Sequence, residues 1–281
     1  MKAIFLFGAL GLFIMPSITL AEPSVDRGRY LVEGIAGCGN CHTPMGPNGP
    51  VLDANLSGRL VEENPAFKAI APNITPTSRI AGWSDDELAR SIREGLRPDG
   101  SLIGPPMPFT MYRGLSDDDV MSMVLYLRTI PAVENDPGES EYKIDLPPAY
   151  GPPVGSVAQP AEGVTIEYGR YLAGPVAHCM ECHSPMSPKG PMVETHLGAG
   201  GFEFHGPWGV SVASNLTSHE DGLADYTDAE IKTMIVGGKR PDGKPMLPPM
   251  PYGNLAQMSD DDLSAIVLYL RSLPPLPDFE G

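Results

Sequence analysis

Apolar residues recur at helical spacing in pairs of matching stretches. Val120, Met123, Val124 and Leu127 fall at i, i+3, i+4 and i+7, and Leu263, Ile266, Val267 and Leu270 do the same. Ser116 and Ser259 stand where N-caps belong, followed by the acidic first turns Asp117–Asp119 and Asp260–Asp262. Pro131 and Pro274 mark the stops. A second pair of helices is predicted after Ser84-Asp85-Asp86-Glu87 and Thr227-Asp228-Ala229-Glu230, both capping boxes. A third pair runs over about residues 25–36 and 166–176. Gly28 and Gly169 inside it weaken a helix but let another approach closely, with Tyr126 and Tyr269 as plausible partners; a tolerated surface glycine is the competing reading. Everything between reads as loop, so the predicted fold class is all-α.

The pairing is an internal repeat. Gly28-Arg29-Tyr30-Leu31 returns as Gly169-Arg170-Tyr171-Leu172, 141 residues on. Asn73-Ile74-Thr75 returns as Asn215-Leu216-Thr217, and Arg97-Pro98-Asp99-Gly100 as Arg240-Pro241-Asp242-Gly243. The offset drifts by two, which places two small insertions in the second copy. Residues 22–131 and 164–281 are read as two domains. Residues 132–163, rich in Pro and Gly and without helical period, read as an extended linker, or as a segment ordered against one domain.

The 281-residue chain holds 32 Gly and 32 Pro, nearly twice the usual combined share of about 12%. So many helix breakers, with only 42% hydrophobic residues, suggest that something besides side chains fills the core. The formal net charge of −16 argues against nucleic-acid partners and anionic lipid surfaces. It favours protein partners with basic patches.

Lys2, the apolar run of residues 3–15 and the small residue Ala21 form the pattern of a cleaved export signal over residues 1–21, with an uncleaved anchor as the competing reading. No later segment is long and apolar enough for a membrane span. The expected location is the periplasm.

All four cysteines sit in two identical motifs. Cys38-Gly39-Asn40-Cys41-His42 and Cys179-Met180-Glu181-Cys182-His183 both read C-x-x-C-H, the attachment pattern for c-type haem. Two thiols would add across the porphyrin vinyl groups, and the adjacent His42 or His183 would point at the iron. A structural zinc site, a redox dithiol or disulfides compete, but a Cys₄ zinc site leaves both histidines unexplained and a dithiol needs one pair only. Two repeats of the motif favour two covalently attached haems c.

The opposite face of each iron needs its own ligand, and the repeat narrows 14 methionines and six histidines. Met45 and Met186 align but lie three residues past the histidines, on the same side, where packing is the better reading. Met111, Met246 and Met258 align with Asn254, Ile103 and Leu115. Met107 and Met250 align in Pro-Pro-Met-Pro, a rigid setting for a thioether. Phe109 and Tyr252 follow and are expected against the ring edge. His178, His196, His205 and His219 have no counterparts and are expected on the surface or in loops. Trp83 with Tyr226, Asn73 with Asn215, and Arg97 with Arg240 could donate to buried propionates; turn and cap chemistry is the alternative.

At these motifs the chain resembles tandem dihaem class I c-type cytochromes. Gly-Arg-Tyr-Leu, Cys-x-x-Cys-His-Thr/Ser-Pro, Asn-Ile-Thr-Pro, Gly-Trp-Ser and Pro-Pro-Met-Pro-Phe/Tyr are similar to stretches in cytochrome c subunits of membrane-associated alcohol and gluconate dehydrogenases, over roughly residues 26–131 and 164–274. Those subunits carry three such domains and this chain two. The resemblance implies two tandem cytochrome c domains and an electron carrier, not an enzyme, with no catalytic residues. It implies redox partners such as a dehydrogenase, an oxidase or another cytochrome, passing electrons to a respiratory acceptor. The alternative is a catalytic dihaem cytochrome, peroxidase-like or thiosulfate-oxidising, with one labile axial ligand.

Overall fold

The structure, a computed structural model, describes residues 22–188 and 190–279. The export signal expected over residues 1–21 lies outside them.

Three helices of each repeat fall where the periodicity placed them, and two short ones in each arise in stretches read as loop. In the first repeat, α1 (Val25–Arg29) continues into a wide π-type turn over Tyr30–Ile35. α2 (Cys38–His42), α3 (Asp85–Glu94), α4 (Phe109–Tyr112) and α5 (Asp117–Thr129) follow. The second repeat runs α6 (Ile166–Tyr171) with a π-type turn over Leu172–Val176, then α7 (Cys179–Cys182), α8 (Asp228–Gly237), α9 (Tyr252–Leu255) and α10 (Asp260–Ser272). The capping boxes form at α3 and α8, with Ser84 and Thr227 accepting from Glu87 and Glu230 while those carboxylates return the bond.

The all-α expectation is overturned. The fold mixes helix and sheet, with four small sheets among the described residues. β1 (Met45–Gly46) pairs with β2 (Gly49–Pro50); β3 (Arg59–Glu63) pairs with β4 (Phe67–Ala71), which pairs with β5 (Glu141–Tyr142). β6 (Met186–Ser187) pairs with β7 (Gly190–Pro191), and β8 (Glu203–Gly206) with β9 (Gly209–Val212), all antiparallel. Turn chemistry, not strand propensity, makes them. Asn64 Oδ1 accepts the backbone N–H of both Ala66 and Phe67, folding the chain back between β3 and β4.

Gly28 is the close-approach glycine. A Cβ there would lie 1.8 Å from the Ser122 carbonyl oxygen and 2.7 Å from the Tyr126 Cβ, so α1 crosses α5 backbone to backbone. Gly169 repeats this against Ala265 and Tyr269. The surface-glycine reading is excluded at both.

Residues 132–163 lie against the first repeat. Asn73 Nδ2 donates to the carbonyls of Val133 and Asn135, Tyr142 OH to Pro105, and Tyr150 OH to Ile103, while Tyr150 stacks on Phe109. Asp117 accepts from Ser156 and Val157.

One apolar cluster runs through both repeats, from Leu31, Val32 and Met123 to Leu172, Val176 and Ile266. The seam is reciprocal. Tyr30 OH donates to Asp262 at 2.6 Å and accepts from Ser259 N–H; Tyr171 OH donates to Asp119 at 2.6 Å and accepts from Ser116 N–H. These are the same four positions exchanged between the repeats. Each copy's first helix thus closes the N-terminus of the other copy's last helix. No helix among the described residues is long and apolar enough to cross a membrane.

Candidate functional site

Each C-x-x-C-H motif is built from a reversal. The chain leaves its π-type turn through Gly37 (φ +59°) or His178 (φ +44°), both left-handed, and enters α2 or α7. The motif is then bolted down from behind. Thr43 Oγ1 accepts from Leu56 N–H and Ser184 Oγ from Gly198 N–H. The carbonyls of His42 and His183 accept from Gly58 and Gly200. Gly58 has φ +91°, and a Cβ there would sit 2.6 Å from the Asn73 nitrogen, so no other residue fits.

The imidazoles are held alike. His42 Nδ1–H donates to the Pro72 carbonyl at 2.8 Å, and His183 Nδ1–H to Ser214 at 2.7 Å. That fixes the tautomer and leaves each Nε2 lone pair available to a metal. Burial lowers both imidazole pKa values, favouring the neutral, ligating form.

In the second repeat Cys179, His183 and Met250 line one cavity of about 480 Å³, walled by Met246, Ile266 and Leu270. This is the size and apolar character of a cofactor site. A thiol, an oriented imidazole and a thioether on one apolar hollow fit a covalently bound haem. In the first repeat Met107 packs against the cluster that also holds Cys38, Ile74 and Trp83. Each methionine precedes an inverse γ-turn at Pro108 (φ −81°, ψ 55°) or Pro251 (φ −84°, ψ 61°), closed by Phe109 N–H on Met107 O and Tyr252 N–H on Met250 O. Tyr142 holds the first methionine loop at Pro105; Ser211 Oγ holds the second at Pro248.

The four cysteines form no disulfide, and among the described residues no group of three or more His, Cys, Asp or Glu gathers to hold a bare metal ion. The competing zinc reading therefore has no ligand set. Burial raises all four thiol pKa values, to about 12 at Cys38 and Cys182 and about 11 at Cys179.

Other expectations change. Met45 and Met186 lie exposed on β1 and β6, outside the core. Asn73 and Asn215 do turn and clamp work: their Oδ1 accepts Thr75 or Thr217 N–H, and their Nδ2 donates to Val133 or Leu276. Arg97 bonds Ser101 and Leu102, whereas Arg240 and Tyr226 line the cavity. Phe109 is buried and stacked on Tyr150, its place fixed by the 132–163 segment.

His178 stands in the turn ahead of α7, a loop position as expected, but it is not free: its ring packs edge-on against Tyr112 at 5.8 Å between ring centres, and burial pushes its pKa down to about 4. Tyr112 OH donates to the Ala36 carbonyl at 3.4 Å while its ring packs on His178, so it joins the residues just ahead of the two motifs at the seam. Arg128 and Arg271 also escaped the sequence reading. Arg128 donates to the carbonyls of Ile80 and Trp83 and to Asp85; Arg271 does the same at Leu223, Tyr226 and Asp228. Their alignment in the repeat was the available signal.

No protein-family model matches the chain. Curated relatives do. The chain is 29% identical over 271 residues to the fructose dehydrogenase cytochrome subunit of Gluconobacter japonicus, covering 90% of this chain and 53% of that one. It is 28% identical over 271 residues to the gluconate 2-dehydrogenase cytochrome c subunit of Pantoea cypripedii, covering 89% and 59%. A diheme cytochrome c-type protein of Cereibacter sphaeroides is 28% identical over 261 residues, covering 85% and 83%. The chain is similar to cytochrome c subunits of dehydrogenases. It spans about half the length of the first two relatives. The likeness bears out the resemblance carried by the motifs. Haem c is the group that the names of these cytochrome c relatives imply for such motifs.

Proposed function

We propose that the chain is an exported, periplasmic dihaem electron carrier serving a dehydrogenase or a similar redox partner and a respiratory acceptor. The observation that carries this reading is the single cavity shared by Cys179, His183 and Met250. Bound haem c supplies reversible one-electron chemistry at iron.

The protein's residues do the rest. Cys38 and Cys41, with Cys179 and Cys182, tether the two groups. His42 and His183, with Nδ1 committed to backbone carbonyls, present Nε2 from one side. Met107 and Met250, on their proline-bounded turns, would each offer a thioether to the group and leave less room for a substrate. The apolar walls exclude water, which lessens solvent reorganisation as charge changes. The net charge of −16 steers docking to basic patches on partners.

The test is purification of the exported protein followed by mass and spectrum. Two covalently attached haems and a low-spin spectrum with a methionine–iron charge-transfer band are expected. Replacing Met107 and Met250 together by Ala abolishes that band. A band that survives in the double variant sinks the ligand assignment, and absence of covalent haem sinks the function.

A further inference from the structure

We propose that the two sites are electrostatically unequal, with Arg59 making the first the stronger electron acceptor, so that one electron passes from the second site to the first. This rests on the function proposed above. The transfer exchanges one electron and no proton or bond.

Arg59 opens β3, directly behind the first motif. Its Nη2 donates to the Asn40 carbonyl at 2.8 Å, inside the Cys38–His42 segment, and its Nη1 to Leu60. Both partners are neutral carbonyls. Its Nε is buried without a hydrogen-bond partner. The guanidinium charge is felt at both Cys41 and His42.

The repeat supplies the control. Gly58 and Gly200 hold equivalent bonds to their histidine carbonyls, so the residue after each is equivalent: Arg59 in the first repeat, Gly201 in the second. Gly201 lines the second cavity. The second site has a bare backbone where the first has a fixed cation.

The remaining charges deepen the contrast. Glu203 and Asp278 line the second cavity, where the first repeat has Val61 and Asn135. Asp221 lines it too. Arg240, which also lines the second cavity, is the one cation there that runs against the trend; its counterpart Arg97 is held by Ser101 and Leu102. The opposing charge is Glu33 near Cys38, where the second repeat has Gly174. Asn55 Nδ2 donates to both its oxygens and Tyr126 OH to one, so fixed donors already offset it. A nearby cation favours the state holding one more electron, and anions disfavour it. Tyr112 bridges Ala36 and His178, the residues just ahead of the two motifs, so the two unequal sites flank one seam.

The test is a spectroelectrochemical titration of the full chain with both haems attached. Two waves are expected, and the one displaced by Met107→Ala, the first site's, is the higher. Arg59→Gln lowers that wave by on the order of tenfold in electron affinity, about 59 mV for a one-electron couple, and leaves the other in place. Arg59→Lys keeps it high, which a purely structural role would not do. Asp278→Asn raises the lower wave and tests the same asymmetry independently of Arg59. Coincident waves, an Arg59→Gln variant with both waves unmoved, or an Asp278→Asn variant with the lower wave unmoved overturns the proposal. Absence of covalent haem overturns the proposed function itself, whereas two attached haems of equal potential overturn this inference alone.

Discussion

Tyr30 reaches across the seam and donates to Asp262 at 2.6 Å. Tyr171 does the same to Asp119, but Asp119 also takes a two-pronged bond from Arg27 at 2.8 and 2.9 Å. Where Arg27 stands in the first repeat, the second has Tyr168, so Asp262 lacks that cation. Tyr30→Phe therefore leaves a buried carboxylate short of a donor, at about 1–3 kcal/mol. Tyr171→Phe, with Arg27 still in place, is expected to cost less. Denaturant melts of both variants check the order, and equal or reversed losses refute it.

The seam also sets an alkaline limit. Burial, and then the bond to Asp262, push the Tyr30 phenol up to about 12, and burial with Glu33 does the same at Tyr126. The folded pKa lies above the usual 10, so this stability is fully present below pH 10. It is lost as pH rises towards 12. Melting temperatures are expected to hold from pH 8 to 10 and fall above it. A decline beginning at pH 8 contradicts the assignment.

Gly28→Ala drives a methyl group into the Ser122 carbonyl and forces α1 off α5. The expected cost is at least the roughly 1–3 kcal/mol of an overpacked core. Gly253→Ala, exposed in α9 with nothing within 4 Å, is the control and is expected to be neutral or mildly stabilising. Similar behaviour of the two would show that the crossing has slack.

Asn73→Ala removes the clamp on Val133 and Asn135 while sparing the helices. The start of the 132–163 segment is expected to become a preferred cleavage site in limited proteolysis, with a stability loss of about 1–2 kcal/mol. An unchanged digestion pattern would mean that the remaining bonds, from Thr75 and Thr77 to Val133 and from Asn135 to Ser57, hold the start of the segment without Asn73.

Much of this was legible because the chain is written twice. The helix stripes, the caps at Ser116 and Ser259, the motifs and the paired methionines all come from matching one copy to the other. The strands β1, β2, β6 and β7 were not legible, because each is two residues long and no alternation can show in two residues. Nor was the seam, where Tyr30 and Asp262 meet from 232 residues apart and nothing local marks them as partners. The packing of His178 was not legible either: with no counterpart in the first copy it read only as a surface or loop residue, whereas its ring lies against Tyr112 of the other copy. Arg59 was equally invisible until the hydrogen bonds of Gly58 and Gly200 fixed which residue of the second copy it faces.

The crossed tyrosines give the peptide joining the copies a minor part in cohesion. Four exchanged contacts and a shared apolar cluster bind the halves whether or not residues 132–163 run unbroken. A molecule nicked at the exposed Gly155 would travel on as one particle, its two fragments bound by the same bonds that oriented them when whole.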